Sequence, residues 1–316
     1  MKNLVPHLNL FLITAFLLFS VQKINAQQIS KEEMLFLTPL WEGERFEDGR
    51  PKVPDDIIER MKEVTHDEAW AVMKNEGYKY QYAEGWETIH RDSILVGRAV
   101  TATFMPGRPD IHDAIDERGK AAGKKGQNAW PVDVLVRGDV YVADQFGAHI
   151  DGPTIGDNVG NAIFARSGNG IVYDGAIRDI VGLREIEGFT SFFTSYHPSH
   201  HNQRGNLNTM LIGINKPTKI RQVTVMAGDV VLGRDGAVSF IPPHLAEKIV
   251  VTSEIVRLRD MFGHERLRAG VYSAGQIDTR WSDEIEKDFS GWLNEHIDEL
   301  PVPREQVQEI LKNRTW

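Results

Sequence analysis

Between Ile94 and about Pro243 short β-branched runs recur between glycine turns, and this alternation constrains the fold more than any other feature. The runs occupy residues 94–96, 99–104, 132–136, 140–142, 171–173, 223–225 and 230–232, and a segment of helical spacing, 159–165, sits among them. Strands alternating with helices make an α/β domain. Gly138-Asp139-Val140 and Gly228-Asp229-Val230 each open a strand after a tight turn, an echo too short to count as a repeat. The chain has no cysteine, which excludes a disulfide scaffold, a zinc–thiolate site, an iron–sulfur cluster and a cysteine nucleophile. A formal net charge of −9 argues against nonspecific nucleic-acid binding, which needs a basic face. At 316 residues, one medium domain with substantial extensions fits best.

Those extensions flank the α/β region. Residues 1–26 read as a secretory signal peptide: Lys2 supplies a positive start, residues 8–21 are an apolar run broken by Asn9, Thr14 and Ser20, and Ala26 suits cleavage. The run is shorter than the roughly 20 apolar residues of a spanning helix. No cysteine follows it to carry a lipid. The expectation is a secreted or periplasmic protein without a membrane anchor after cleavage. Residues 27–92 read as a helical N-terminal extension, with Asp55 and Asp56 opening a helix whose stripe is Ile57, Ile58, Met61 and Val64. Tyr78, Tyr80 and Tyr82 read as packing residues. Residues 93–250 form the α/β domain and residues 251–316 a helical C-terminal extension. In that tail Ser282 caps a helix carrying Ile285, Phe289, Trp292 and Leu293 on one face, and Pro301 and Pro303 end it.

Chemistry concentrates in residues 156–179, GDNVGNAIFARSGNGIVYDGAIRD. Asp157 precedes the periodic residues Val159, Ile163 and Phe164 and is expected as a helix N-cap. The free amides of such a helix start seat a carboxylate or phosphate. Gly168 and Gly170 end the helix, and a strand at 171–173 leads through Asp174-Gly175 to Arg178-Asp179. Arg178 offers a planar charged fork for an oxyanion, and Asp179 an oxygen ligand for a hard cation. By residue type alone this is an adjacent ion pair, most often a surface feature.

The pattern Gly-Asp-Asn at a helix start, then Gly-x-Gly-Ile-Val, then Asp-Gly-x-x-Arg-Asp resembles the RraA-like family, which includes the class II 4-hydroxy-4-methyl-2-oxoglutarate aldolases. Asp157 and Arg178-Asp179 are separated by twenty residues, the spacing of the aldolase branch. Residues 223–242, with Ala227-Gly228-Asp229 and Asp235-Gly236, resemble the family's closing hairpin. The resemblance implies an RraA-like swivelling β/β/α domain between helical extensions. It also implies a divalent-metal-dependent lyase that cleaves a 4-hydroxy-2-oxo acid to pyruvate or a related 2-oxo acid, by enolate chemistry that permits decarboxylation of oxaloacetate as well. Asp179 would bind Mg²⁺ or Mn²⁺, with waters completing the shell. Arg178 would stabilise the enolate, the amides of Gly156, Asp157, Asn158 and Val159 would hold the substrate carboxylate, and Asp157 would orient the water that acts as base. A homotrimer or hexamer with pockets between subunits is implied, together with an acidic residue from a neighbouring subunit.

Two other readings stand beside this one: a non-catalytic binding or regulatory protein of the same fold, and a lyase acting on sugar-derived substrates. No Gly-x-Gly-x-x-Gly turn opens a helix after a strand, so a nucleotide-type cofactor lacks its seat. His197, His200 and His201 follow Tyr196, where the family has a shorter turn. Their spacing matches neither a helical i, i+4 pair nor a zinc pattern, which favours a pocket-lining or solvated loop over a ligand set.

Overall fold

The computed structural model describes residues 27–148, 150–203 and 206–313. The expected signal peptide, 1–26, lies outside the described residues. Helices α1 (Lys31–Leu37), α2 (Asp55–Met61) and α3 (His66–Asn75) precede two short strands, β1 (Tyr82–Glu84) and β2 (Glu87–Thr88). The long β3 (Leu95–Pro106) leads to α4 (Pro109–Ala121), β4 (Asp139–Asp144), α5 (Asp157–Ser167), β5 (Ile171–Ile177), α6 (Ile180–Arg184) and β6 (Ser191–Tyr196). Then come β7 (Asn202–Gln203), β8 (Asn206–Leu207), β9 (Thr209–Ile214), β10 (Thr218–Ile220), β11 (Val223–Val225), β12 (Val230–Arg234) and β13 (Ala237–Ile241). Helices α7 (Ala246–Arg268), α8 (Ala274–Ile277), α9 (Asp283–Glu295) and α10 (Arg304–Asn313) complete the chain.

The main sheet runs β1-β13-β12-β3-β4-β5-β6-β2, with β9 also pairing the far half of β3. Its centre, β3-β4-β5-β6, is parallel, so these strands end on one side. Helices α5 and α6 make the β4-to-β5 and β5-to-β6 crossings. Ile163 of α5 and Leu183 of α6 are fully buried on the face that also carries Tyr141, Tyr173 and Ile177. Each such side chain contributes about 1.5–3 kcal/mol. The opposite face buries Val140, Val142, Val172 and Phe192 under the β10–β11 hairpin. Covering on both faces explains why the parallel strands read as unbroken apolar runs.

Helices α2 and α3 pack with α7 on Val96, Val230 and Leu232, burying the expected stripe Ile57, Ile58, Met61 and Val64. Arg50, 1% exposed, reaches from the N-terminal extension to the fully buried Asp139 at the start of β4, donating two hydrogen bonds of 2.8 and 3.1 Å. A pair this deep is costly to break, because either partner alone is a buried uncompensated charge. At the other end, Ser282 caps α9 and the face Ile285, Phe289, Trp292 and Leu293 is buried as expected, packed with Phe262 of α7.

Three local expectations are corrected. Residues 132–134 form a 3₁₀ turn rather than a strand: Pro131 (φ −65°) starts it, and the apolar character of Val132 serves the core behind Trp130. The extension is helical only as far as Asn75, since Tyr82 opens β1, which takes the sheet edge beside β13. Tyr78 packs as expected and its hydroxyl meets His244 Nε2 at 3.2 Å, whereas Tyr80 is exposed.

Candidate active site

The parallel strands deliver their chemistry at their C-terminal ends, where α/β sheets form crevices. Strand β5 ends at Ile177, so Arg178 and Asp179 stand at its tip. The loop from Gln145 to Gly156 leaves the neighbouring β4 and folds back to start α5 beside them. Arg178 N donates to Ile155 O at 3.0 Å and Ala176 N to Ala148 O at 3.0 Å, which fastens that loop to β5. The start of α5 is thereby fixed against the Arg178–Asp179 pair.

Gly156, not Asp157, is the N-cap of α5, with extended backbone (φ −131°, ψ −169°). The reason is space. A Cβ at Gly156 would collide with Asp179 Oδ2 and stand 3.0 Å from Arg178 Cζ. Asp157 is therefore the first helical residue, where its charge suits the helix dipole, and its Oδ1 accepts from Asn158 N at 2.7 Å. From the other side Gly182 of α6 lets Asp157 approach: a Cβ there would lie 2.7 Å from Asp157 Cβ and 2.9 Å from its Oδ2. Helix α5 ends on Gly168 in the left-handed conformation (φ 63°), as its sequence predicts.

Asp157, Arg178 and Asp179 are thus brought together around Gly156 and Gly182. Arg178 Nη1 and Asp179 Oδ2 are 2.6 Å apart, with both side chains part-exposed. Arg178 Nε is buried and has no hydrogen-bond partner among the described residues, so the guanidinium keeps donor capacity. Asp179 has φ 55°, a left-handed conformation uncommon for non-glycine residues but visited by aspartate more readily than by most. Phe146 (φ 47°) and Asp151 (φ 56°), in the loop between β4 and α5, share that region of φ. Strain of this kind clusters at functional sites.

Replacing Gly156 with alanine is expected to displace the Asp179 carboxylate without straining the backbone, because L-residues adopt φ −131° freely. Turnover should fall by about a hundredfold, since a misplacement near 1 Å costs that much. Steady-state kinetics read beside the thermal midpoint check this; an unaltered rate would detach the pair from catalysis.

Among the described residues of this chain, Asp179 is the carboxylate expected to hold a cation here. Among the described residues no group of three or more His, Asp or Glu side chains is placed to hold a metal ion. One carboxylate with the remaining positions open suits Mg²⁺ or Mn²⁺, which keep several waters, and does not suit a structural zinc site. The donor set fits the hard cation expected from the sequence.

One residue escaped the sequence reading. Gln145, fully buried at the exit of β4, accepts from Thr154 Oγ1 at 3.4 Å while its Nε2 has no partner among the described residues. No motif marks it; only its place after a parallel strand does. His201 was visible without a role. Its Nδ1 lies 3.2 Å from Pro153 O, in the loop that leads to Gly156. Burial first, then the neighbouring His200 and Arg178, push its pKa down to about 4. The ring is therefore neutral at pH 7, and Nδ1–H donates to the Pro153 carbonyl. His197 N donates to Ile177 O at 3.0 Å, and its Nδ1 lies 2.7 Å from Ser199 Oγ, so the histidine run folds over the end of β5.

His201 also gives a pH signature. Its folded pKa lies below the unfolded value near 6.5, so the unfolded chain takes the proton first. Stability from this group is present above pH 6.5 and is lost as pH falls from 6.5 towards 4. Urea midpoints of His201→Gln should fall less steeply over that window than those of the parent chain, and identical slopes would contradict the neutral assignment.

Residues 55–238, more than half of the chain, match the profile of the RraA-like family, described as Aldolase/RraA. The chain belongs to the RraA-like family. Among solved structures it is similar to RraAS2 of Streptomyces coelicolor, described as an unusual member of the RNase ES inhibitor RraA protein family. That match has 23% identity and a TM-score of 0.57 and covers 68% of this chain and 100% of the other. An uncharacterized protein from Pseudomonas syringae pv. tomato str. DC3000 matches at 17% identity and TM-score 0.55, covering 72% and 98%. A structure described under novel cellulases from microbes associated with the gut ecosystem matches at 17% identity and TM-score 0.57, covering 74% and 96%. Likeness at these identities speaks for a shared fold. No curated protein matches the chain.

Proposed function

We propose that this chain is an exported, divalent-metal-dependent carbon–carbon lyase that cleaves a 4-hydroxy-2-oxo acid to pyruvate or a related 2-oxo acid. The observation that carries the reading is the meeting of Asp157, Arg178 and Asp179 around Gly156, where a Cβ would press on the Asp179 carboxylate and the Arg178 guanidinium. A helix start for the substrate carboxylate, a guanidinium for a developing oxyanion and a carboxylate for a cation then share one cleft.

Cleavage removes the hydroxyl proton, breaks the C3–C4 bond as C4 becomes the carbonyl of the departing aldehyde or ketone, and leaves an enolate that is protonated at C3 to the 2-oxo acid. Arg178 would face the 2-oxo oxygen and stabilise its charge as the enolate forms, through the donors that the Asp179 contact leaves over. The amides at 156–159 would hold the carboxylate, with the Asp157 carboxylate swinging off Asn158 N to make room. Freed in this way, Asp157 would orient the water that receives the hydroxyl proton. Mg²⁺ or Mn²⁺ at Asp179 would polarise the 2-oxo group, so no lysine Schiff base is needed. The same enolate permits decarboxylation of oxaloacetate. Phe146, Ile150, Val181 and Tyr196, all exposed near the strand ends, are the surface a neighbouring subunit of a homotrimer or hexamer would cover.

The test is a screen of 4-hydroxy-2-oxo acids, sugar-derived 2-oxo acids among them, and oxaloacetate, with Mg²⁺, Mn²⁺ or a chelator, reading out pyruvate or the matching 2-oxo acid. Release that depends on the metal supports the lyase. No release from any of them would favour a binding or regulatory protein on the same fold.

A further inference from the structure

Asp139 and Asp229 occupy the same turn twice. Each follows a glycine of positive φ, Gly138 (83°) and Gly228 (95°), and each carboxylate accepts from the amide three residues earlier, Val136 N at 2.9 Å and Met226 N at 2.8 Å. Both are buried, with exposures of 0% and 3%. They differ in their counter-charge. Asp139 is neutralised by Arg50 at 2.8 Å, whereas Asp229 has no cationic partner among the described residues. In place of a guanidinium, Asp229 meets a cavity.

That cavity, about 380 Å³, lies under the segment joining α1 to α2 and is lined by Leu40, Trp41, Tyr78, Met226, Asp229 and His244, among others. No lysine or arginine lines it. Burial holds His244 below its usual pKa, so the ring adds no positive charge, and the Tyr78 hydroxyl contacts it at 3.2 Å. Leu40, Trp41, Pro243 and His244 also border a second cavity of about 740 Å³, whose lining carries Glu42, Glu44, Asp55, Glu247 and Lys52; Glu44 pairs with Lys52 and Asp55 with the buried Arg98. Neither cavity shares a lining residue with the cleft at Arg178.

An anion finds no lysine or arginine in this cavity, while a cation finds a buried carboxylate and two aromatic rings, an arrangement that recognises ammonium groups. We propose that this cavity binds an organic ammonium ion with an apolar body, whose charge takes beside Asp229 the place that Arg50 takes beside Asp139. A carboxyl buried with no counter-ion is pushed up, here to about 8, and an ammonium group relieves that penalty by pairing with it.

Titration calorimetry of the full chain with 2-phenylethylammonium and with its neutral isostere 2-phenylethanol tests the assignment. The ammonium ion should bind at least about tenfold more tightly, and Asp229→Asn, which keeps an acceptor for Met226 N, should remove that preference. Trp41→Ala should weaken both ligands. Equal affinity for the two compounds, no binding of the amine, or an unaltered preference in Asp229→Asn would overturn the proposal. If the asparagine variant does not fold, the comparison of amine with alcohol on the parent chain decides.

Discussion

Replacing Asp179 with alanine is expected to lower metal-dependent 2-oxo acid release by about a thousandfold or more, the scale of losing charge stabilisation where the reaction creates charge. The substitution acts twice. Asp179 sits at φ 55°, which aspartate tolerates better than alanine because its short polar side chain can hydrogen-bond locally, so some stability is lost along with the carboxylate. Asp179→Asn separates the effects, because asparagine tolerates the left-handed conformation and keeps the shape while removing the charge. Both variants should lose turnover, but only alanine should lower the thermal midpoint. Full turnover in Asp179→Asn would remove the metal role, whatever alanine does.

Arg178→Lys is expected to cost about a hundred- to thousandfold in turnover with little change in stability. Lysine preserves the positive charge and can still pair with Asp179, now 2.6 Å from Nη1. It cannot reproduce a planar fork that pairs with Asp179 through one nitrogen while others face the substrate. If lysine supports the parent rate, Arg178 acts as a structural ion pair only.

Much of this site was legible in the sequence because its parts are local. The helix start, the glycine stop at Gly168 and the strand carrying Arg178-Asp179 follow one another within twenty-four residues, and each has its own turn chemistry. The exact N-cap was not legible: Asp157 carries every local cap signal, and only the approach of Arg178 and Asp179 across the fold requires glycine one residue earlier. The 132–136 run misleads for a related reason. Alternating valines look like a strand, but Pro131 and burial behind Trp130 decide for a turn. Partnerships across long separations left no trace at all. Arg50 with Asp139, 89 residues apart, and the bare Asp229 in an otherwise similar turn emerge only once α1, α2 and the sheet are packed.

The central claim is that a hard cation and a 2-oxo carboxylate meet between the start of α5 and the tip of β5. Anomalous diffraction from crystals soaked with Mn²⁺ and oxalate, a stable mimic of the pyruvate enolate, tests it most directly. The account predicts a manganese peak on the Asp179 carboxylate, with oxalate bridging it to Arg178 and the amides at 156–159. Manganese absent from Asp179, or oxalate bound away from Arg178, would contradict it.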